Sequence, residues 1–433
     1  MKNKAYIDTS FNIADYLSSF VIFLITTKLL ISKLGTDGYG FYMFFSSLIG
    51  TFGLVDLGMG MAVSKYLSQY IHHKEYDKGM EVITQAVIFY LIAGLILSVL
   101  VIAFTNELLL IFDFEKKFYK VGETILVVSI VIFLINLFIS IGNNVLVALE
   151  RWQTISVLNI VFKVTGAYFL VQIVESDIAY NEKLVYIFYA LLFIGILKLI
   201  VYSTAAIKLY PKFRFIKPGQ EIKYNMNHFL KWSSLQYGLS LAVGHVDKII
   251  ISRLFGMDIM GVYSFVVNAF AYLYGFVASA FKIFYPKLSK IHADKDHMHL
   301  SLYLKRLLVG SIVLTLIVSS ISVALWSPTV SWYISPDFAE KSFWFFILFA
   351  FYLVARGPEI IISYFFNATA KPDALVRNVI VGASATIVGY FIYVPLFDSY
   401  GLILAQITGS LSIYIYLLLL LKLNGFNYFS NIR

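Results

Sequence analysis

Charged side chains inside otherwise apolar stretches are the residues of this sequence best placed to do chemistry. A charge near the centre of a bilayer costs about 2.5–3.5 kcal/mol on insertion scales, so it normally faces a partner or a water-filled cavity. The basic residues of this kind are Lys28, Lys163, Lys198, Lys231, Lys248, Lys282 and Arg356, and the acidic ones are Asp15, Asp56, Asp247 and Glu359. Because basic residues outnumber acidic ones, they predict a cavity of positive potential that suits an anion such as a phosphate or pyrophosphate.

Two simpler interpretations compete with a binding role for these charges. Side chains close to a membrane interface can extend to water, which suits Lys231, Lys282 and Asp15 near the cytoplasmic ends of their spans. A structural ion pair is the main alternative for the rest. Our candidate substrate-binding residues are Lys28, Lys163, Lys248 and Arg356, and our candidate coupling or ion-pair residues are Asp56, Asp247 and Glu359.

Two of the basic residues lie three positions from another polar side chain. Arg356 and Glu359 are three residues apart, so on a helix they share a face. His245 and Lys248 have the same spacing, whereas Asp247 points elsewhere. The spacing therefore predicts an ion pair at Arg356 and a small polar cluster at His245.

The composition assigns the chain to the polytopic membrane proteins. Hydrophobic residues make up 60% of the sequence and charged residues only 14%, against about 25% charged residues in soluble domains. The absence of cysteine excludes a disulfide scaffold and a thiolate metal site. No P-loop, HExxH or GxSxG pattern occurs, so we predict no catalytic residues, no metal site and no cofactor. The net charge of +9 reflects sidedness in the membrane rather than nucleic-acid binding.

Apolar runs of about 20 residues, the length needed to cross a bilayer, divide the chain into twelve predicted helices. The spans are approximately 11–33, 39–62, 82–104, 123–148, 155–174, 184–205, 228–250, 260–284, 303–326, 343–366, 374–394 and 401–421. A basic segment that contains Pro211 and Pro218 separates the first six from the last six. We therefore predict an N-terminal six-helix lobe at 1–206, a cytoplasmic linker at 207–227 and a C-terminal six-helix lobe at 228–433.

The distribution of charge across the loops fixes the predicted orientation. Lys and Arg concentrate in the terminal segments and in every second loop, whereas Asp and Glu collect in the remaining loops. Cytoplasmic loops carry the excess of basic residues in membrane proteins. Twelve spans with both termini in the cytoplasm satisfy this rule, and the reverse orientation would violate it.

A repeated motif indicates that the two halves are related. Gly35-x-Asp37-x-x-Gly40-x-Tyr42 recurs as Gly256-x-Asp258-x-x-Gly261-x-Tyr263, and an Ile-Ser-basic-Leu step precedes each copy. The offset is close to half of the chain. Tandem structural repeats of this size are common among secondary transporters, so the pattern predicts two pseudo-symmetric lobes with a turn at each copy.

The same motifs carry a resemblance to a known family. Leu34-Gly35 with Tyr39-Gly40-x-Tyr42, then Asp56-Leu57-Gly58 and Ala62-x-x-Lys65-Tyr66-Leu67-Ser68, resemble the N-terminal signature of polysaccharide exporters. More narrowly, the chain looks like the Wzx-type flippases of O-antigen and capsule repeat units. Asp247-Lys248 with Gly256 and Gly261-x-Tyr263 resembles the corresponding element of their second lobe. The resemblance covers essentially the whole chain.

The resemblance implies a MATE-like fold, similar to multidrug-and-toxin exporters, with two six-helix lobes rocking around a central cavity. It implies a substrate, an undecaprenyl-pyrophosphate-linked oligosaccharide, that crosses the bacterial inner membrane during surface polysaccharide synthesis. Related flippases hold the pyrophosphate with basic residues, which map here onto Lys28, Lys248 and Arg356. Further expected partners are membrane lipid, H⁺ or Na⁺ as a coupling ion, and other polysaccharide assembly proteins.

Four alternatives stay open at the level of sequence. A drug or cation antiporter of the same fold predicts a net acidic cavity, and a peptidoglycan-precursor flippase usually has about fourteen spans. A membrane glycosyltransferase or polymerase needs a sizeable extramembrane catalytic loop, and no loop between the predicted spans is long enough. A structural scaffold would not need basic residues inside its spans. We therefore predict a transporter rather than an enzyme.

Overall fold

A computed structural model of the chain describes residues 2–56, 58–112, 116–211, 213–282, 284, 287–288, 291, 297–368 and 372–423. Almost all of these residues are helical, and no strand occurs among them. The chain forms two compact units, unit 1 at Met1–Met260 and unit 2 at Gly261–Arg433. The predicted all-α polytopic architecture is confirmed.

Unit 1 contains seven helices and most of an eighth. They are α1 Lys2–Phe52, α2 Met59–His72, α3 Tyr76–Ala103, α4 Thr105–Phe112, α5 Lys116–Ala148, α6 Trp152–Glu175, α7 Tyr180–Leu209 and α8 Gln220–Lys282, with a 3₁₀ turn Gly53–Asp56 between α1 and α2. Helix α5 packs against α2 and α7, and α1 packs against α6. Buried rings of Phe41, Phe44, Phe45 and Phe188 contact one another edge-on or tilted and hold this core together.

Unit 2 begins within α8 and adds four helices. They are α9 His297–Tyr333, α10 Pro336–Ala368, α11 Pro372–Phe397 and α12 Gly401–Leu423, with a 3₁₀ turn Asp398–Tyr400 between α11 and α12. Helix α9 packs against α10, and α12 packs against both α10 and α11. The rings of Trp326 and Phe346 stack with centroids 3.7 Å apart, which ties α9 to α10.

Helical segments that are long and apolar enough to cross a membrane overlap every predicted span, although the overlap with 228–250 begins only at Val243. Nine helical segments within the described residues meet the length and hydropathy needed to cross a membrane. Three of them, Ile7–Phe52, Val243–Lys282 and Val376–Tyr416, each overlap two of the predicted spans. The protein is therefore a multi-span membrane protein. Its lobes at 1–206 and 228–433, with the linker 207–227, stay a prediction.

The repeated motif has the same backbone geometry in both copies. Gly35 has φ 70° and ψ 176°, and Gly256 has φ 83° and ψ 176°. Only glycine adopts this region readily. Each glycine interrupts a helix that resumes at the next residue, so α1 and α8 each contain two spans separated by one residue. The sequence predicted a turn at each copy, and the structure shows a one-residue break.

We expect alanine at either glycine to destabilise the protein through the backbone alone. No atom lies within 4 Å of a β-carbon built at Gly35 or Gly256, so the added methyl group meets no neighbour. The unfavourable φ costs about 1–3 kcal/mol at each site. The free energy of unfolding of purified protein in detergent measures this loss.

Gly244→Ala is the matched control for these two variants. Gly244 lies inside α8, and a β-carbon there also has open space around it. Because its φ is ordinary, alanine should stabilise the helix by up to about 1 kcal/mol. Loss of stability at Gly244 but not at Gly35 or Gly256 would contradict the argument.

The predicted second span, 39–62, is interrupted in the middle. Helix α1 ends at Phe52, a 3₁₀ turn covers Gly53–Asp56, and α2 begins at Met59. Gly58 caps α2 in the left-handed conformation, with φ 81°. Leu57, part of the motif that carried the resemblance, lies outside the described residues. Asp56 therefore lies at a helix break, a place where transporters bind substrates and ions.

The segment after α7 is held against the N-terminal part of α3. The Tyr210 hydroxyl donates to the Tyr76 carbonyl at 2.9 Å, and Arg214 pairs with Asp77 at 3.0 Å. The Gly219 amide donates to Glu81 at 2.7 Å. Burial raises the pKa of the Tyr210 phenol, so this group remains a donor at physiological pH. These contacts hold this part of the predicted linker against unit 1.

Candidate functional site

The structure describes all seven residues selected from the sequence and places them in separate groups. Unit 1 contains Lys28, Asp56, Lys163, Asp247 and Lys248, and unit 2 contains Arg356 and Glu359. Those of unit 1 lie in distinct local environments, whereas the two of unit 2 form a pair. Their substrate-binding and coupling roles remain predictions, and their surroundings indicate what each can do.

Arg356 of α10 forms the ion pair that its spacing predicts. Its Nε donates to Oε2 of Glu359 at 3.3 Å, and the two side chains are 31% and 13% exposed. The guanidinium also lies over two rings, 4.4 Å from the centroid of Tyr274 and 5.5 Å from that of Tyr352. Phe270 stacks on Tyr352, with centroids 5.0 Å apart, and completes an aromatic wall.

This environment orients the guanidinium without using all of its donors. Arginine carries five N–H groups, and the contact with Glu359 uses only the one at Nε. Within the part of unit 2 that the structure describes, the terminal nitrogens make no hydrogen bond or ion pair. Oε1 of Glu359 is likewise buried and has no partner among the described residues. The group is thus a preorganised cation beside a carboxylate with spare acceptor capacity.

Lys163 of α6 belongs to a polar seam between α1 and α6. Its Nζ pairs with Asp15 Oδ1 at 2.5 Å and donates to Ser19 at 2.6 Å. Asn159 donates to the other oxygen of Asp15 at 3.3 Å. The seam continues with Gln153 donating to Asp8 and Ser156 donating to Asn12, each at 3.0 Å. A substrate-binding role for Lys163 stays a prediction, because the ion pair already supplies a structural role.

The remaining charges of unit 1 lie on α1 and α8. Lys28 is exposed although it lies inside a candidate span. Asp247 is only 3% exposed, and its Oδ1 accepts the backbone N–H of Lys248 at 2.8 Å. His245 contacts Ser47 of α1 through Nδ1 and Oγ, 2.9 Å apart. The predicted His245 cluster therefore includes a hydroxyl group from α1 that sequence spacing could not reveal.

Asp56 is held by donors from two elements, α2 and α3. Its Oδ1 accepts the hydroxyl of Tyr90 in a short hydrogen bond and the Gly60 amide at 3.1 Å. The Tyr90 hydroxyl also lies 3.3 Å from Ser140 Oγ on α5. A β-carbon at Gly60 would lie 2.8 Å from the amide nitrogen of Asn144, so a larger residue there would displace the Asn144 side chain on α5.

Asp56 borders a cavity of about 760 Å³ inside unit 1. It is lined by Ile49, Gly50, Gly53, Asp56, Gly60, Met61, Ser64, Lys65, Phe133, Asn136, Leu137, Ser140, Asn143 and Asn144. The charged residues of the sequence do not indicate the neutral polar residues of α5. Their spacing does, because Asn136, Ser140, Asn143 and Asn144 follow the helical period and mark one face of an apolar span.

Comparisons with known proteins identify relatives of this fold. A protein-family model described as MatE matches residues 13–171. A solved inward-facing multidrug resistance transporter of the MATE family is 14% identical, with a TM-score of 0.73, and the similarity covers 95% of this chain and 96% of that chain. The fold is that of the MATE transporters. The fold class predicted from the sequence is confirmed.

Two further solved structures have the MATE fold. The lipid II flippase MurJ, in an inward closed conformation, is 16% identical with a TM-score of 0.77, and the similarity covers 96% of this chain and 87% of that chain. A MATE transporter of Vibrio cholerae is 11% identical with a TM-score of 0.68, covering 98% and 97%. No curated protein matches the sequence. At these identities the similarity establishes the fold, and the substrate has to be argued from the residues of this chain.

Proposed function

We propose that this protein moves an undecaprenyl-pyrophosphate-linked oligosaccharide across the bacterial inner membrane by alternating access. The observation that carries the proposal is the guanidinium of Arg356, which is oriented by Glu359 and two tyrosine rings and retains unbonded terminal N–H groups. Both termini lie in the cytoplasm in this proposal, in agreement with the distribution of basic residues along the sequence.

A pyrophosphate suits the Arg356 group for geometric reasons. The planar fork of a guanidinium donates two parallel hydrogen bonds to phosphate oxygens. Tyr274 and Tyr352 fix the plane of that fork, so little side-chain entropy is lost when an anion binds.

Glu359 provides a route to coupling within the same proposal. An anion that binds Arg356 competes with Glu359 for the guanidinium, and the freed carboxylate then needs a proton or Na⁺ in a largely buried position. Its Oε1, which has no partner in the part of the chain that the structure describes, already lies in such a position. The two states of the pair supply the difference in binding that alternating access needs.

A drug or cation antiporter is the second candidate, and the same Oε1 of Glu359 favours it. Among the described residues no donor reaches this buried carboxylate oxygen, and an organic cation would compensate its charge. Solved MATE transporters named for multidrug resistance share the fold. The two candidates differ in the charge of the substrate, which an experiment can read directly.

Reconstitution of the purified protein into liposomes tests the proposed function. Fluorescent undecaprenyl pyrophosphate carrying an oligosaccharide is placed in both leaflets, and exposure of the outer-leaflet pool to a membrane-impermeant quencher reports its exchange. We expect the protein to accelerate exchange over empty liposomes by more than about tenfold, since unassisted movement of a pyrophosphate across hydrocarbon is strongly opposed. Failure to move this lipid under pH, Na⁺ or potential gradients, together with gradient-driven transport of a cationic dye, would favour the antiporter.

A further inference from the structure

We propose that the cavity between α2 and α5 binds the sugar part of the substrate through neutral amide and hydroxyl side chains. This inference rests on the proposed function. It assigns recognition of the sugar to residues that are remote in sequence from Arg356. At about 760 Å³ the cavity falls within the range of small-molecule sites, about 300–1,000 Å³. It belongs wholly to unit 1.

The lining has the chemistry of a site for hydroxyl groups. Asp56 and Lys65 are the two charged side chains among the lining residues, and they are opposite in sign. The other polar groups are asparagine amides and serine hydroxyls, which donate and accept hydrogen bonds. Sugar hydroxyls do the same, so this lining complements a neutral glycan better than it complements a pyrophosphate, which requires cations.

Two of the amides are available to a ligand. Asn136 and Asn143 are seven residues apart on α5, which places them on one face and about 10 Å apart along the helix axis. Neither makes a hydrogen bond or ion pair within the part of the chain that the structure describes. An amide in an apolar span needs a partner, and a bound sugar supplies both donors and acceptors.

The other polar groups of the cavity are already fixed by the protein. Asn144 accepts the Ser64 hydroxyl at 2.8 Å and donates to Ser140 at 3.3 Å. Oδ1 of Asp56 accepts from Tyr90 and from the Gly60 amide. Oδ1 of Asp56 and Oδ1 of Asn144 are therefore already engaged by donors of the protein, and Asn136 and Asn143 are the amides that a glycan can engage.

Binding to two lipids that differ only in the sugar tests this inference. The probes are undecaprenyl pyrophosphate and the same lipid bearing a neutral N-acetylhexosamine disaccharide, measured against protein in nanodiscs. We expect wild type to prefer the glycosylated lipid by about tenfold, the gain expected of two or three hydrogen bonds. The double variant Asn136→Leu/Asn143→Leu should lose this preference and keep its affinity for the bare lipid.

Asn106→Leu, the same substitution on exposed α4, is the control and should leave both affinities unchanged. The inference is overturned if wild type shows no preference, or if the double variant retains it. A variant that instead loses a response to Na⁺ would identify a cation site and overturn it as well. If wild type binds neither lipid, the proposed function itself fails, which is a separate outcome.

Discussion

We expect Arg356→Ala to slow the flipping of a lipid-linked oligosaccharide by at least about 30-fold. Removing one member of a largely buried, hydrogen-bonded charge pair costs about 2–5 kcal/mol, and 2 kcal/mol corresponds to about 30-fold. The variant removes the forked donor and also leaves Glu359, 13% exposed, without its cation. Initial rates of exchange in liposomes, normalised to the amount of inserted protein, measure the effect.

Three further variants separate the possible causes of this loss. Arg356→Lys keeps the charge but loses the planar fork and its stacking on Tyr274, so its rate should lie between wild type and alanine. Arg356→Ala/Glu359→Gln removes both charges and leaves no unpaired carboxylate. It should therefore insert into the membrane normally while flipping stays slow. Arg377→Ala, at an exposed position of α11, should flip at the wild-type rate. Wild-type flipping by Arg356→Ala would contradict the proposal.

The second large effect is expected at the seam between α1 and α6. Lys163→Ala leaves Asp15 without its cation inside a membrane span, where an unpaired carboxylate costs up to about 3 kcal/mol. Because Asp15 is 20% exposed and keeps its bond from Asn159, we expect a loss of about 1–3 kcal/mol in the free energy of unfolding. Denaturant titration of purified protein in detergent measures it.

The double variant Lys163→Met/Asp15→Asn decides what Lys163 does. With both charges removed, no uncompensated ion remains, so stability should return to within about 1 kcal/mol of wild type. If this variant also flips the lipid normally, the pair is structural. Stable protein that no longer flips would support the binding role predicted from the sequence. Lys33→Ala, at an exposed position of α1, is the control, and full stability of Lys163→Ala would contradict the expectation.

Local signals in the sequence were sufficient for the architecture. Apolar runs long enough to cross a bilayer predicted the helices, because backbone polar groups in hydrocarbon must be satisfied within a helix. The repeated motif predicted a turn at each of two matching positions, and a one-residue break lies at each, at Gly35 and Gly256, because glycine tolerates the geometry found there. The Arg356–Glu359 contact was also accessible, since three residues on a helix bring side chains together.

Contacts between distant segments were beyond local signals. Asp15 and Lys163 are far apart in sequence, and only the packing of α1 against α6 joins them. The bond between Ser47 and His245 has the same origin. The cavity has no such charged signature, because most of its polar lining consists of neutral amides and hydroxyls. Asn136 and Asn143 would have been found by asking which polar residues share a face of an apolar helix.

We expect the first two spans to insert into the membrane together. Helical residues resume directly after Gly35, so no loop separates the two segments of α1. Because the break is one residue long, a translocation machinery meets no loop at which it could release the first segment alone, so we expect the two segments of α1 to enter lipid as one unit. Gly256 interrupts α8 in the same way, and we expect the same of its two segments.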